Sequence, residues 1–227
     1  MKSQKETETG STVHGKWYND ACGTALGMEL LGERWSLLIV RELIFGPLRF
    51  SALRANLPGI SAKVLTERLE KLEAANVLSR RTLPQPSGAQ VYELTEWGYA
   101  AEPLILEIGR WAAKSELHDR TLPLSPGSFM LSLRTMLDAE KAGDWQTRIG
   151  FRFPQVSFVA ELHDGALPVV RTDPQDCAAT FIAPDGSPLA IMFYGGVPAD
   201  RVGVTVEGDE QTAERFMALF ELPEKMG

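Results

Sequence analysis

A proline-glycine pair set between two apolar stripes constrains this chain more than any other stretch of it. Phe50, Leu53 and Leu57 fall on one side at helical spacing. Pro58-Gly59 then ends that helix, because proline cannot continue the hydrogen-bond ladder and glycine turns freely. A second helix starts at once. The Ser61 hydroxyl is placed to cap its exposed N–H groups, and Leu65, Leu69 and Leu72 recur at i, i+4 and i+7, so that one stripe is buried. With Leu65 at the core centre, a rotation of about 100° per residue turns Lys63, Glu67, Glu70 and Lys71 outward and leaves Thr66 on the flank.

Two helices about a tight glycine turn, the second with a polar outer face, resemble a helix-turn-helix. The flanking sequence extends the pattern. Residues 20–31 carry Ala25, Leu26, Leu30 and Leu31 as a short amphipathic helix, and Gly32 breaks it. Residues 33–43 then place Trp35, Leu38, Ile39 and Leu43 on one face, and Phe45-Gly46-Pro47 closes that helix. Beyond the second helix, residues 77–83 and 90–94 are rich in β-formers and joined by Pro84-Gln85-Pro86-Ser87-Gly88-Ala89, a hairpin with a polar tip. Three helices and such a hairpin make a winged helix-turn-helix. Thr95 then caps a helix expected over 96–117, in which Leu104, Ile108 and Trp111 share a face.

A chain of 227 residues with net charge −7 looks unsuited to nucleic acid until the charge is divided. Residues 1–120 hold 15 basic and 15 acidic side chains, and residues 121–227 hold 8 and 15, so the acidity belongs to the second half. Between Arg49 and Arg81 seven bases face three acids. That local excess suits phosphate contact, although an exposed helix carrying the Glu67–Lys71 pair would also show it.

Trp35 with Leu37-Leu38-Ile39, Arg41-Glu42-Leu43, Gly46-Pro47, Arg49-Phe50, Leu57-Pro58-Gly59-Ile60-Ser61, Leu65-Thr66, Arg68-Leu69, Tyr92, Leu94-Thr95 and Gly98 resemble, in order and spacing, the HxlR family of bacterial transcription regulators. The likeness covers about residues 20–115. It implies a homodimer on operator DNA, with the helix after Ile60 in the major groove and the wing beside it. On that basis Ser61, Lys63, Thr66, Glu67, Arg68 and Lys71 are expected near the groove, and Arg49, Arg81, Gln85, Ser87 and Gln90 near phosphates or the minor groove. Arg68 either reaches a phosphate or packs beside the leucine stripe. The family's dimer interface implies Leu26, Leu30, Leu104, Ile108 and Trp111; their other reading is cover for the chain's own core. Some members sense oxidants through a cysteine near the position of Cys22. Here Gly23 follows it where proline is common, and a free cysteine is otherwise a small buried hydrophobe.

The expected domains are a flexible arm over 1–19, the winged helix with its dimerisation helices over 20–117, a proline-rich linker over 118–127 and a second domain over 128–227. In the last, a helix over 128–141 precedes a change to period two. Strands are expected over 149–153, 158–162, 179–183, 189–194 and 202–206, with turns at His163-Asp164-Gly165 and Pro184-Asp185-Gly186, and a closing helix after Asp209. This α+β order, an antiparallel-rich sheet of about five strands with flanking helices, is similar to the sterol carrier protein fold. That likeness implies a small apolar ligand, for which Met130, Met136, Phe153, Phe158, Phe181, Met192, Tyr194, Phe216, Met217 and Phe220 are the candidate lining.

No catalytic fingerprint occurs, neither G-x-S-x-G, nor a phosphate-binding glycine loop, nor H-E-x-x-H, so no enzyme and no cofactor is expected. Two cysteines and three scattered histidines make neither a disulfide framework nor a metal site. The polar start and the absence of a long apolar run point to a cytoplasmic chain with no membrane contact. The expected partners are double-stranded DNA, a second copy of the chain and a small apolar ligand. The alternatives are redox sensing through Cys22, or a ligand carrier or scaffold that uses its winged helix for protein contacts.

Overall fold

A computed structural model describes residues 17–226. Most of the expected N-terminal arm, with His14, lies outside the described residues. The N-terminal half begins with α1 (Gly23–Leu31) and α2 (Ser36–Leu43), followed by α3 (Phe50–Asn56), α4 (Ala62–Ala74) and a hairpin of β1 (Leu78–Thr82) and β2 (Gln90–Leu94). Trp35 does not lie on the face of α2. It is the residue before that helix, in the left-handed region at φ 81°, and its ring leans on the core.

The leucine stripe of α4 behaves as its spacing predicts: Leu65, Leu69 and Leu72 are fully buried, and Ser61 Oγ accepts the Val64 N–H at 3.2 Å. The single helix expected over 96–117 is instead two pieces, α5 (Glu96–Tyr99) and α6 (Glu102–Ala113). Pro103 sits in the first turn of α6, where a missing N–H costs nothing, so the break falls just before it.

The C-terminal half starts with α7 (Pro126–Met136) and a single turn, α8 (Ala139–Ala142). Next come β3 (Thr147–Phe153), β4 (Val156–Leu162), β5 (Val169–Val170) and β6 (Ala179–Ile182). The chain ends with α9 (Gly186–Gly195), α10 (Ala199–Val202), β7 (Thr205–Gly208) and α11 (Glu210–Met217). The five strands lie in the order β5-β4-β3-β6-β7, with β3 and β6 parallel and the other pairs antiparallel.

Two expected strands are corrected. Residues 189–194 are helical, because Asp185 accepts the Ser187 N–H at 2.7 Å and so caps α9 instead of turning a hairpin. The segment 202–206 divides between the end of α10 and the start of β7. The fifth strand is β5, which its short length hid.

Period two in β3 and β4 turns Ile149, Phe151, Phe153, Phe158, Ala160 and Leu162 inward. They meet α7, α9 and α11 through a phenylalanine cluster. Phe151 stacks on Phe181 at 5.4 Å, and Phe193 meets Phe181 and Phe129 edge-on at 5.1 and 5.3 Å. Such geometry adds about 0.5–1.5 kcal/mol per pair to the area buried.

The halves do not keep separate cores. One contiguous cluster runs from Leu65 and Leu53 through Phe45 and Phe158 to Phe216, and Phe45 meets Phe158 edge-on at 5.5 Å. A polar knot lies beside this seam. Glu42 of α2 is 1% exposed. Its Oε1 accepts from Arg41, from Ser125 Oγ at 2.8 Å and from Ser128 Oγ at 3.1 Å, and its Oε2 accepts from Asn56 Nδ2 at 2.9 Å. Ser125 caps α7 and Asn56 ends α3, so a single carboxylate ties the C-terminal half to the last residue of α3, two before Pro58. Nearby, Arg171 Nη1 donates to the Pro47 carbonyl at 2.9 Å. Burial lowers the Arg171 pKa, while the charges of Glu42 and Tyr99 oppose that shift.

Candidate nucleic-acid interface

The outer face of α4 carries two kinds of side chain. Lys63, Thr66, Glu67 and Glu70 are exposed. Lys63 is 86% exposed and 4.0 Å from Glu67, a distance at which it is held by little. Thr66 donates its hydroxyl proton to the Ala62 carbonyl at 3.0 Å and keeps its lone pairs outward.

Arg68 and Lys71 are committed elsewhere. Arg68 pairs with Glu33 and donates Nε to the Arg34 carbonyl at 3.1 Å, and Lys71 Nζ lies 2.6 Å from Glu33 Oε1. Of the two readings of Arg68, the packed one describes its surroundings: its side chain is 17% exposed. Ser61 is likewise occupied as the cap of α4.

On the wing, Arg81 is gripped by Glu93 across the hairpin, and this hydrogen bond raises its pKa. Arg49 Nη2 donates to Ser87 Oγ at 3.1 Å and so joins the start of α3 to the wing tip. Gln85, Ser87 and Gln90 are exposed along the same edge. Sequence reasoning did not single out Arg54 and Arg80. The basic patch contains them without any pattern to mark them, yet both are exposed and neither has an ion-pair partner among the described residues.

The apolar face of α6 is left uncovered. Leu104, Ile108 and Trp111 are 56%, 49% and 76% exposed, with Trp97 and Met28 also exposed and Leu26 and Leu30 half-buried on α1. The opposite side of α6 is fixed to α7, where Arg110 Nη2 donates to the Thr135 carbonyl at 2.7 Å and Arg134 pairs with Glu102.

Cys22 is the exposed residue that precedes α1. Hydrogen bonds from the backbone and side chain of Thr24, and from the Ala25 N–H, lower its thiol pKa. Cys177 lies partly buried, and desolvation raises its pKa.

The expected ligand lining is dispersed. Met130, Phe158, Phe181 and Phe216 are fully buried in the packed core and Met136 is half-buried. Phe153 borders a cavity at the seam between the halves. Met192, Tyr194, Met217 and Phe220 border a separate open cleft beside Arg120 and residues 221–223. Tyr194 donates to or accepts from Ser132 Oγ at 2.7 Å, and burial raises its pKa. No group of three potential metal ligands occurs among the described residues. No helix among them is long and apolar enough to cross a membrane.

The sequence pattern of the HxlR-like helix-turn-helix family matches residues 30–119. The HTH-type transcriptional regulator YvaP of Bacillus subtilis is 40% identical over 87 residues, which cover 38% of this chain and 81% of YvaP. YodB of the same organism is 41% identical over 83 residues, covering 37% of this chain and 74% of YodB. Among solved structures, the reduced form of YodB covers 44% of this chain and all of its own length at 36% identity and a TM-score of 0.39. The redox regulator HypR in its oxidised form covers 40% of this chain and 94% of its own, at 30% identity and a TM-score of 0.38. These relatives are HTH-type regulators and not enzymes, and this chain belongs to the HxlR family of helix-turn-helix transcriptional regulators.

Proposed function

We propose that the chain acts as a cytoplasmic homodimer on an inverted-repeat operator, with α4 in the major groove, the wing on the adjacent backbone and a small apolar molecule as effector. The observation that carries this reading is the division of labour on α4. Arg68 and Lys71 hold the helix to Glu33, while Lys63, Thr66 and Glu67 remain available beside the wing. The uncovered stripe of Leu104, Ile108 and Trp111 supports pairing through α6 and α1, which would set two recognition helices about 34–36 Å apart. One helix, five mostly antiparallel strands and further helices support a sterol-carrier-like reading of residues 128–227, with 20–117 as the DNA reader and 118–127 as the connection.

The test is binding to selected operator DNA across a salt series. Lys63→Ala and Arg80→Ala should each weaken binding, and a lost phosphate contact lowers the salt slope by about one. Trp111→Lys should give a folded monomer by sedimentation with much weaker operator binding. Salt-independent binding, no tighter to operator than to random DNA, would remove the regulator reading and favour the carrier or scaffold.

A second reading makes Cys22 a redox switch. It is favoured by the exposed thiol with lowered pKa at the start of α1, next to the proposed dimer face. Cys22→Ser should then abolish any oxidant response and leave operator affinity unchanged.

A further inference from the structure

We propose that the cavity between the helix-turn-helix and the C-terminal half binds a small uncharged apolar molecule, and that Asn56 and Glu42 pass its occupancy to the recognition helix. The proposal rests on the regulator reading above and moves the effector from the sheet interior to the seam.

The cavity has a volume of about 330 Å³, at the small end of ligand sites. One wall is helix-turn-helix: Ala55, Asn56 and Pro58. The other comes from the connection, the start of α7 and the ends of the inner strands, including Pro126, Phe153 and Pro184. The prolines offer no N–H, and no Lys, Arg or His lines the space. Its one ionisable wall residue, Asp185, accepts the Ser187 N–H as the cap of α9, and Glu42 stands behind Asn56. An anion would meet the Asp185 carboxylate and no lining cation, whereas the prolines with Leu124, Phe153 and Val156 offer an apolar wall to an uncharged guest.

The wall is also mechanically connected. Asn56 ends α3 two residues before Pro58 in the turn that orients α4, and its side chain is tied through Glu42 to Ser125 and Ser128 at the start of α7. A guest pressing on Pro58 and Pro126 acts at both ends of that tie, and can shift α4 only by favouring one of its positions.

The experiment uses full-length protein, 2-naphthol as the uncharged probe and 2-naphthoate as its charged counterpart. Probe binding is followed by fluorescence and operator affinity by anisotropy. Ala55→Trp and Gln155→Trp fill the cavity from opposite exposed walls, and Ala218→Trp fills the other cleft. The expected result is 1:1 binding of 2-naphthol, at least about tenfold weaker binding of naphthoate, and an operator affinity shifted by about fivefold or more at saturation. Both cavity fillings should abolish probe binding and Ala218→Trp should retain it. The proposal is overturned by no binding at about 1 mM 2-naphthol, by binding that survives both cavity fillings, by loss in Ala218→Trp, by equal binding of naphthoate, or by occupancy that leaves operator affinity unchanged. Specific DNA binding absent from the probe-free wild type would strike the regulator reading instead, since the cavity fillings report on the site without DNA.

Discussion

Replacing Glu42 by glutamine keeps the shape of the side chain but removes its charge and turns one of its two acceptor oxygens into an NH2 donor, so it tests what that carboxylate does. Oε1 takes bonds from Arg41, Ser125 and Ser128 and Oε2 takes one from Asn56. Charge-assisted bonds contribute about 1.5–3 kcal/mol each and neutral ones about 0.5–1.5. Because the bonds to Oε1 share one oxygen, their differences do not add in full. Relief from burying a carboxylate offsets part of the remainder. A net loss of about 2–3 kcal/mol follows, which for a chain of this length lowers Tm by about 4–12 °C. Glu42→Ala removes the acceptor altogether and leaves Asn56 and Ser128 without it, at a cost of about 3–5 kcal/mol. The assay is calorimetric melting. Because the core is continuous across the seam, the wild type should melt in one transition, and the Gln variant in one transition at lower temperature. A Gln variant within about 2 °C of wild type, or a wild type whose halves melt separately, would refute the assignment of Glu42 as the tie between them.

Three further outcomes are expected. Iodoacetamide at neutral pH should alkylate Cys22 well before Cys177, since hydrogen bonds from Thr24 and Ala25 lower the first thiol and burial raises the second; mass spectrometry showing Cys177 modified first would contradict this. Gly98→Ala should cost about 2–4 kcal/mol in a denaturant titration, because the added Cβ would overlap the Val77 carbonyl oxygen, and a neutral effect would mean that this contact gives way easily. Desolvation, with Lys225 and Arg120 nearby, lowers the pKa of His118 in the fold. Its contribution to stability is therefore present above the unfolded value of about 6.5 and is lost as pH falls through the folded pKa. His118→Gln should flatten that part of the pH–stability curve, and an unchanged curve would assign the slope to other groups.

What the sequence alone determined was local. The spacing of Leu65, Leu69 and Leu72, the Ser61 cap, the second wing strand at Gln90–Leu94 and the cap at Asp209 each depend on neighbours within one or two turns, and they appear in the fold as read. The outward face of α6 was legible for the same reason, because an apolar stripe shows where it lies even when nothing covers it. Residues 189–194 could not be assigned locally. A short apolar run buried against the sheet has no period to separate strand from helix, and the aspartate cap that decides it also reads as a turn. Arg68 and Lys71 look like DNA contacts on a helical wheel, and only the position of Glu33, 35 and 38 residues earlier, shows both paired with it, Arg68 packed and Lys71 still exposed. The seam belongs wholly to the tertiary structure. Apart from its neighbour Arg41, the partners of Glu42 lie 14, 83 and 86 residues away, and no local pattern can announce a carboxylate whose hydrogen bonds come from three separate helices.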